Sequence, residues 1–301
     1  MALLIACLLA ACGKSQAGAD SATYEAEILE WRKGRVARLK GPEGFLNLVG
    51  LYWLDAQPVR IGSAQDNDIV FPAAAAPHVG TLRPEESGVW LDTEPGVDVR
   101  HGGEPVASIL IADDTTDDPV TVTHGSLAWT IIKRDGRFAL RLRDYEHPAI
   151  AALPPIESYP IDRRYRVAGV LRAFAEPRIM NVNTTIEGLG YHPRSPGKIV
   201  FELDGQALAL EAYESGDSLF LVFADQTTGR ETYPAGRFLY AEQPDQDGIT
   251  VLDFNKAYNP PCAFNEFATC PVASPRNRLS VRIEAGEKYD PRVHKPVATT
   301  H

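Results

Sequence analysis

The chain is short of the features that most readily betray a function. Its 301 residues carry 30 Lys and Arg against 40 Asp and Glu, a formal net charge of -10. A basic footprint for phosphate backbones is therefore absent, which argues against a nucleic-acid partner. The same deficit disfavours attachment to anionic lipid through surface charge. The seven His are scattered with no i,i+4 pair, so a helical metal site has no sequence support, and we expect neither metal nor cofactor. There is no Gly-x-Ser-x-Gly elbow, no His-Glu-x-x-His, no phosphate-binding loop and no complete dinucleotide fingerprint. Gly188-Leu-Gly190 lacks a third glycine. Asp245-x-Asp247-Gly248 with Asp253 has the wrong ligand spacing for a calcium loop and reads as a turn. The apolar N-terminal run is too short to span a bilayer.

What is present begins at that run. Met1 to Ala11 ends in Leu9-Ala10-Ala11-Cys12. This resembles a bacterial lipobox, although the basic residues that usually open a signal peptide are missing. The resemblance implies a signal peptide over residues 1–11, lipidation of Cys12, a tether over 12–20, and a protein held by lipid at the cell envelope. Gly13 after the cysteine points to the periplasmic face of the outer membrane. Only four cysteines occur. With Cys7 removed and Cys12 lipidated, Cys262 and Cys270 remain as an even pair in an oxidising compartment. A disulfide closing that loop would stabilise by roughly 2–3 kcal/mol on the chain-entropy model. Free thiols and a two-cysteine metal site are the alternatives.

Patterning predicts a mainly β protein, an antiparallel sandwich or barrel-like architecture in two packed halves with one N-terminal helix. The helix covers Ser21 to Lys40, with Tyr24, Ile28 and Trp31 on one face and a capping hydroxyl at Ser21 or Thr23. Gly41-Pro42 ends it. Phe45 to Leu54 is apolar and fits either a short helix or a buried strand. Short strands then follow one another with no helix between them, which favours antiparallel pairing. Two hairpins are marked by Asp135-Gly136 and Asp204-Gly205, the residue pair that suits a type I′ turn. The expected organisation is a helix plus β-sandwich over 21–144, a Pro-rich crossing over 145–164, a C-terminal β domain over 165–290 and a tail over 291–301. Asp113, Asp114, Asp117 and Asp118 form an acidic knot, read as a solvated loop ahead of a calcium site.

Between Val59 and Leu82 the sequence resembles a forkhead-associated domain, through Ile61-Gly62-Ser63, Asp68-Ile69 and His78. Ser63 and Ala75 stand where that family places its Arg and phosphate-binding Ser. The resemblance therefore implies a β-sandwich without phosphopeptide recognition. The densest motif lies later, as Asp225-x-x-Thr-Gly-x-x-Thr-Tyr-x-x-Gly-Arg237, Leu252-Asp-Phe-Asn-x-Ala-Tyr-Asn-Pro-Pro-Cys-Ala-Phe264, Ala268-Thr-Cys-Pro271 and Ile283-Glu-Ala-Gly-Glu287. These residues resemble the bacterial and archaeal domain of unknown function 1684, which implies no activity.

Asp225, Tyr233, Arg237, Asp253, Asn255, Tyr258, Asn259 and Glu266 are the candidate ligand-binding residues in the 225–271 region. Carboxylates at Asp225, Asp253 or Glu266 could serve acid–base chemistry on a sugar, and Arg237 could grip a carboxylate or phosphate. The same residue types also make side-chain-to-backbone turns and buried pairs. The expected function is a ligand- or partner-binding envelope lipoprotein. A hydrolase using carboxylates near Asp225 and Asp253 is the alternative, and no reaction is assigned.

Overall fold

The structure, a computed structural model, describes residues 10–291, with side chains from residue 21 onward. Most of the expected signal peptide therefore lies outside the described residues, as does the lipidated side chain of Cys12. One long helix, α1 (Ala10–Lys40), precedes the strands, and the remainder is mainly antiparallel β. Among the described residues, no helix is long and apolar enough to cross a membrane.

The first half contains β1 (Leu48–Trp53), β2 (Val59–Gly62), β3 (Ile69–Val70), β4 (Gly80–Glu85), β5 (Gly88–Thr93), β6 (Arg100–His101), β7 (Glu104–Pro105), β8 (Ser108–Ile111), β9 (Thr121–His124), β10 (Leu127–Arg134) and β11 (Arg137–Asp144). They form two sheets, ordered β1-β11-β10-β9-β6-β7 and β3-β2-β4-β5-β8. The region from Phe45 to Leu54, open between helix and strand, is thus a strand paired with β11. Val89, Leu91 and Ile111 meet Leu127, Trp129, Ile131, Leu140 and Leu142 between the sheets. Period-2 alternation supplies this face, and the apolar area it buries drives the packing.

The second half contains β12 (Arg166–Ile179), a two-stranded ribbon of β13 (Val182–Asn183) and β14 (Gly190–Tyr191), then β15 (Arg194–Leu203), β16 (Gln206–Ser215), β17 (Ser218–Phe223), β18 (Arg237–Glu242) and β19 (Ile249–Asp253). Six of these form a sheet in the order β18-β17-β16-β15-β12-β19. It curls until its end strands β18 and β19 adjoin, where Thr250 Oγ1 donates to the Glu242 carbonyl at 2.8 Å. Leu210, Leu219, Leu221, Phe223, Leu239, Leu252 and Phe254 fill the inside of this nearly closed barrel. Both Asp-Gly pairs form the hairpin turns their chemistry demands. Asp135 and Gly136 have φ of 48° and 75°, and Asp204 and Gly205 have 50° and 76°. Asp and Gly tolerate this left-handed region where other residues resist it.

The helix runs N-terminally past Ser21 and takes in residues 12–20, so Ser21 and Thr23 lie within it and cap nothing. Its buried stripe, Tyr24, Ile28, Arg35 and Leu39, recurs at three- and four-residue spacing, with half-buried Trp31 between. That stripe packs on the C-terminal barrel rather than on the sandwich that follows α1 in sequence. The two halves also meet each other directly. Asp135 accepts from the Gly190 backbone N–H at 2.8 Å and lies 3.0 Å from His192 Nε2, while Asn265 donates to the Leu48 carbonyl at 2.8 Å.

Candidate functional site

The conspicuous polar residues of the C-terminal motif divide into three clusters that hold the chain together. In the first, Arg237 at the start of β18 is fully buried and donates to Asp225 Oδ2 at 2.7 Å, both side chains having 0% exposure. Its Nη donors also reach the Ile283 carbonyl at 2.9 Å and the Ala285 carbonyl, while its Nε is buried without a partner among the described residues. Asp225 also accepts from the Thr227 backbone at 2.7 Å. This cluster binds the C-terminal strap over the mouth of the barrel.

The second cluster ties down α1. Tyr24 donates to Asp253 Oδ1 at 2.8 Å and accepts from Asn255 Nδ2 at 2.9 Å. Asn255 also bridges both backbone groups of Asp162, at 3.0 and 2.8 Å. Burial, then the Asp253 carboxylate, pushes the Tyr24 hydroxyl far above the phenol range, so it stays a neutral donor. In the third, Glu287 receives Arg35 at 3.3 Å and the Asn259 backbone at 2.7 Å, while Asn259 Nδ2 donates to the Lys288 carbonyl at 2.8 Å. Glu266 is half-buried in the loop beyond.

Tyr233 donates to the Cys262 carbonyl at 3.2 Å, beside the cysteine pair. Cys262 and Cys270 are free buried thiols in this structure, and the Cys262 backbone N–H donates to Cys270 Sγ at 3.1 Å. A hydrogen bond from Cys270 holds the Cys262 thiol below its usual range, whereas burial pushes Cys270 well above it. No group of three or more His, Cys, Asp or Glu suited to a metal exists among the described residues. The acidic knot is a loop whose Asp113 caps Thr115 at 2.9 Å and whose Asp114 pairs with Arg134 at 2.7 Å.

The open site lies elsewhere, along the seam between α1 and the outer face of β17 and β18. Barrel strands that are apolar on both faces must cover both, and here the outward residues are aromatic. Phe220, Phe238 and Tyr240 project away from the barrel core, with Phe220 4.8 Å from Phe238 and 5.0 Å from Tyr240, ring to ring. Tyr258 continues the floor, stacked on Tyr240 at 6.5 Å with 11° between planes. Trp31 of α1, 6.2 Å from Tyr258, lines an adjoining depression of roughly 270 Å³ that shares Arg35, Arg38, Tyr240 and Tyr258 with the groove. The groove has a volume of roughly 610 Å³ and is bounded by Leu39 and the Gly41–Phe45 turn. Tyr240 is 48% exposed, so this floor is open to solvent.

Two arginines border it. Arg35 stacks on Tyr258 at 4.5 Å and is committed to Glu287 and the Asn259 carbonyl. Arg38, one turn on, is exposed and makes no hydrogen bond or ion pair among the described residues. Burial pushes the Tyr258 phenol far up, so the floor is uncharged. A polar depression of roughly 420 Å³ adjoins the groove through Tyr240, lined also by Glu27, Arg166, Asp245, Asp253 and Lys256. Lys256 there is paired with Glu27 at 2.6 Å.

Of the sequence candidates, Tyr258 lines the groove and Asp253 the polar depression; Asp225, Arg237, Asn255 and Asn259 are spent on structural contacts. Trp31, Arg35, Arg38, Phe220, Phe238 and Tyr240 were not legible as site residues. The available signal was the strand Leu219-Phe-Leu-Val-Phe223, apolar at every position, which implies an outward aromatic face.

Residues 151–288 match a family described as Protein of unknown function (DUF1684). An uncharacterized protein of Haloarcula marismortui, solved by NMR, is 29% identical, with 47% of this chain and 80% of that one covered at a TM-score of 0.39. The FHA-2 domain of a Mycobacterium tuberculosis ABC transporter is 32% identical over 29% of this chain and 77% of its own, at a TM-score of 0.22. No curated protein matches. At those TM-scores neither superposition bears on activity.

Proposed function

We propose, with residues 151–288 carrying the DUF1684 pattern, that the protein is a binding protein whose ligand lies in the groove between α1 and the outer barrel face. The ligand is a small molecule with a flat apolar body and an anionic group. One observation carries this reading: a partly open aromatic floor, exposed at Tyr240, with Arg38 at its edge making no hydrogen bond or ion pair among the described residues. Concave, mainly apolar sites with few polar groups are the usual form of small-molecule sites. Rings of Phe220, Tyr240 and Tyr258 supply stacking area, and a guanidinium supplies a directional contact to carboxylate, phosphate or sulfonate. A carboxylate-dependent hydrolase has less support, because Asp225 is sealed against Arg237 and Asp253 is held by Tyr24 and Asn255.

The test uses anilinonaphthalene sulfonate, an aromatic anion whose fluorescence rises in apolar sites. One equivalent is expected to bind, with energy transfer from Trp31. Arg38→Gln should weaken binding about tenfold, the ~1.4 kcal/mol of one charge-assisted contact. Tyr240→Ala should weaken it comparably through lost stacking. Binding unaltered by both substitutions would sink the groove as the site.

Export belongs to the same reading. The segment Leu9-Ala10-Ala11-Cys12 supports a lipoprotein anchored through Cys12, facing the periplasm. In that oxidising space Cys262 and Cys270, eight residues apart and free thiols in this structure, with the Cys262 backbone N–H on Cys270 Sγ, would close as a disulfide, an oxidant of the compartment taking the two electrons. Intact mass of the detergent-extracted native protein tests both points: it should include a diacylglyceryl adduct and be lighter by the two hydrogen atoms lost when a disulfide forms. A protein beginning upstream of Cys12, or two alkylatable thiols before reduction, would refute the respective point.

A further inference from the structure

Arg141 of β11 occupies the face of the N-terminal sheet turned away from the sandwich core. The strand register aligns Thr121, Thr130, Arg141 and Leu51 as one row across β9, β10, β11 and β1. The Arg141 Nε is buried without a partner, and no hydrogen bond or ion pair to its guanidinium exists among the described residues. Arg141 as a whole is half-buried, but its Nε lacks both solvent and a partner, an unmatched donor that an anion entering beside it would satisfy.

The surroundings sharpen the case. Arg143, on the same face, is buried and donates to the neutral acceptors Asn47 Oδ1, at 2.7 Å, and the Gly44 carbonyl. Arg134 is spent bidentately on Asp114, at 2.9 and 2.7 Å. Glu43 is exposed at the rim. Burial, with repulsion from Arg134 and Arg143, pushes the Arg141 guanidinium down to about 10. A cavity of roughly 160 Å³ opens between Arg141, Arg143, Thr121 and Thr130. Glu43 and Asp114 also line it, so two arginines face two carboxylates, but neither carboxylate hydrogen-bonds Arg141, which Asp114 reaches only through space.

We propose that this cavity is a binding site for a phosphate group, free or terminal on a small molecule, held by the fork of Arg141 with Arg143 and the hydroxyls of Thr121 and Thr130 around it. A guanidinium fork matches two phosphate oxygens, and a tetrahedral anion has further oxygens for the hydroxyl donors. The site shares Glu43 with the rim of the aromatic groove but uses different arginines, and it does not depend on the groove having a ligand.

The experiment is thermal unfolding of the full chain in inorganic phosphate and in phenyl phosphate, each against sodium chloride at matched ionic strength. A ligand of the folded state raises Tm saturably with its concentration. Phosphate is expected to raise Tm beyond chloride. Arg141→Met, which fills similar space without an unpaired charge, should leave Tm in chloride no lower than wild type. It should weaken phosphate binding at least tenfold. Arg141→Lys, which keeps the charge and loses the fork, serves if the Met variant does not fold, and should also bind more weakly. A response to both ligands assigns a phosphate group of either source; a response to inorganic phosphate alone assigns the free anion. No shift beyond chloride, or an undiminished shift in the Arg141 variants, overturns the proposal.

Discussion

Asp225→Ala is expected to lower the free energy of unfolding by about 3–5 kcal/mol, the cost of removing one partner of a fully buried ion pair. The carboxylate is the counter-ion of Arg237, 2.7 Å away with no solvent on either side chain. Without it the guanidinium stays buried, held by neutral carbonyls, those of Ile283, Ala285 and Glu287. The backbone N–H of Thr227 also loses its acceptor. A double substitution, Asp225→Ala with Arg237→Met, should be less damaging than the sum of the singles, since no orphan charge remains. Urea unfolding of the four proteins measures that coupling. A cost below about 1 kcal/mol for Asp225→Ala would mean that the pair is not sealed as described.

Gly286→Ala should cost about 2–5 kcal/mol, combining left-handed backbone strain with overpacking. Gly286 has φ of 77°, and an added Cβ would stand 2.3 Å from the Ala257 carbonyl oxygen and 2.8 Å from that of Phe254. Neither oxygen can withdraw freely. The Ala257 carbonyl accepts from the Glu287 backbone at 2.8 Å, and the Phe254 carbonyl accepts from the Ala257 backbone at 2.9 Å. A shift here would also displace the two carbonyls that receive Arg237. Gly229 provides the control, with φ of 79° and nothing within 4 Å of its added Cβ. Gly229→Ala should therefore show the backbone strain alone, about 1–2 kcal/mol. Equal denaturation midpoints for the two variants would show that the strap yields, and would remove the close-approach explanation.

These two predictions concern residues that look like an active site on paper. Asp225, Arg237, Asp253, Asn255 and Asn259 attract notice because they are polar and densely spaced, but density cannot distinguish a cleft from a knot. The difference is whether solvent or a backbone group occupies the other side of each side chain. Here the partners come from far away in the chain: Asp253 meets Tyr24 across 229 positions, and Arg237 meets a strap about 46 residues on. Nothing local to the motif records them. The groove was hidden for the converse reason. Phe220, Phe238 and Tyr240 read as ordinary strand residues, and only the docking of α1 beside them leaves an aromatic surface partly covered and partly open.

What the chain determined by itself is what short-range physics settles. The Asp-Gly turns follow from backbone sterics, so both hairpins could be placed from two residues each. Alternation assigned β10, β11, β15 and β16, because a side-chain period of two leaves one face to bury. The helix over 21–40 and its stop at Gly41-Pro42 followed from period and breaker chemistry. Tertiary structure alone decided that α1 leaves the sandwich next to it in sequence and packs on the distant barrel. It alone decided that the sheet curls until β18 adjoins β19, and that Arg237 finds a hydrogen-bonded counter-ion while Arg141 has none among the described residues. Each of those outcomes depends on which surfaces exclude water from one another, and that is a property of the assembled layers.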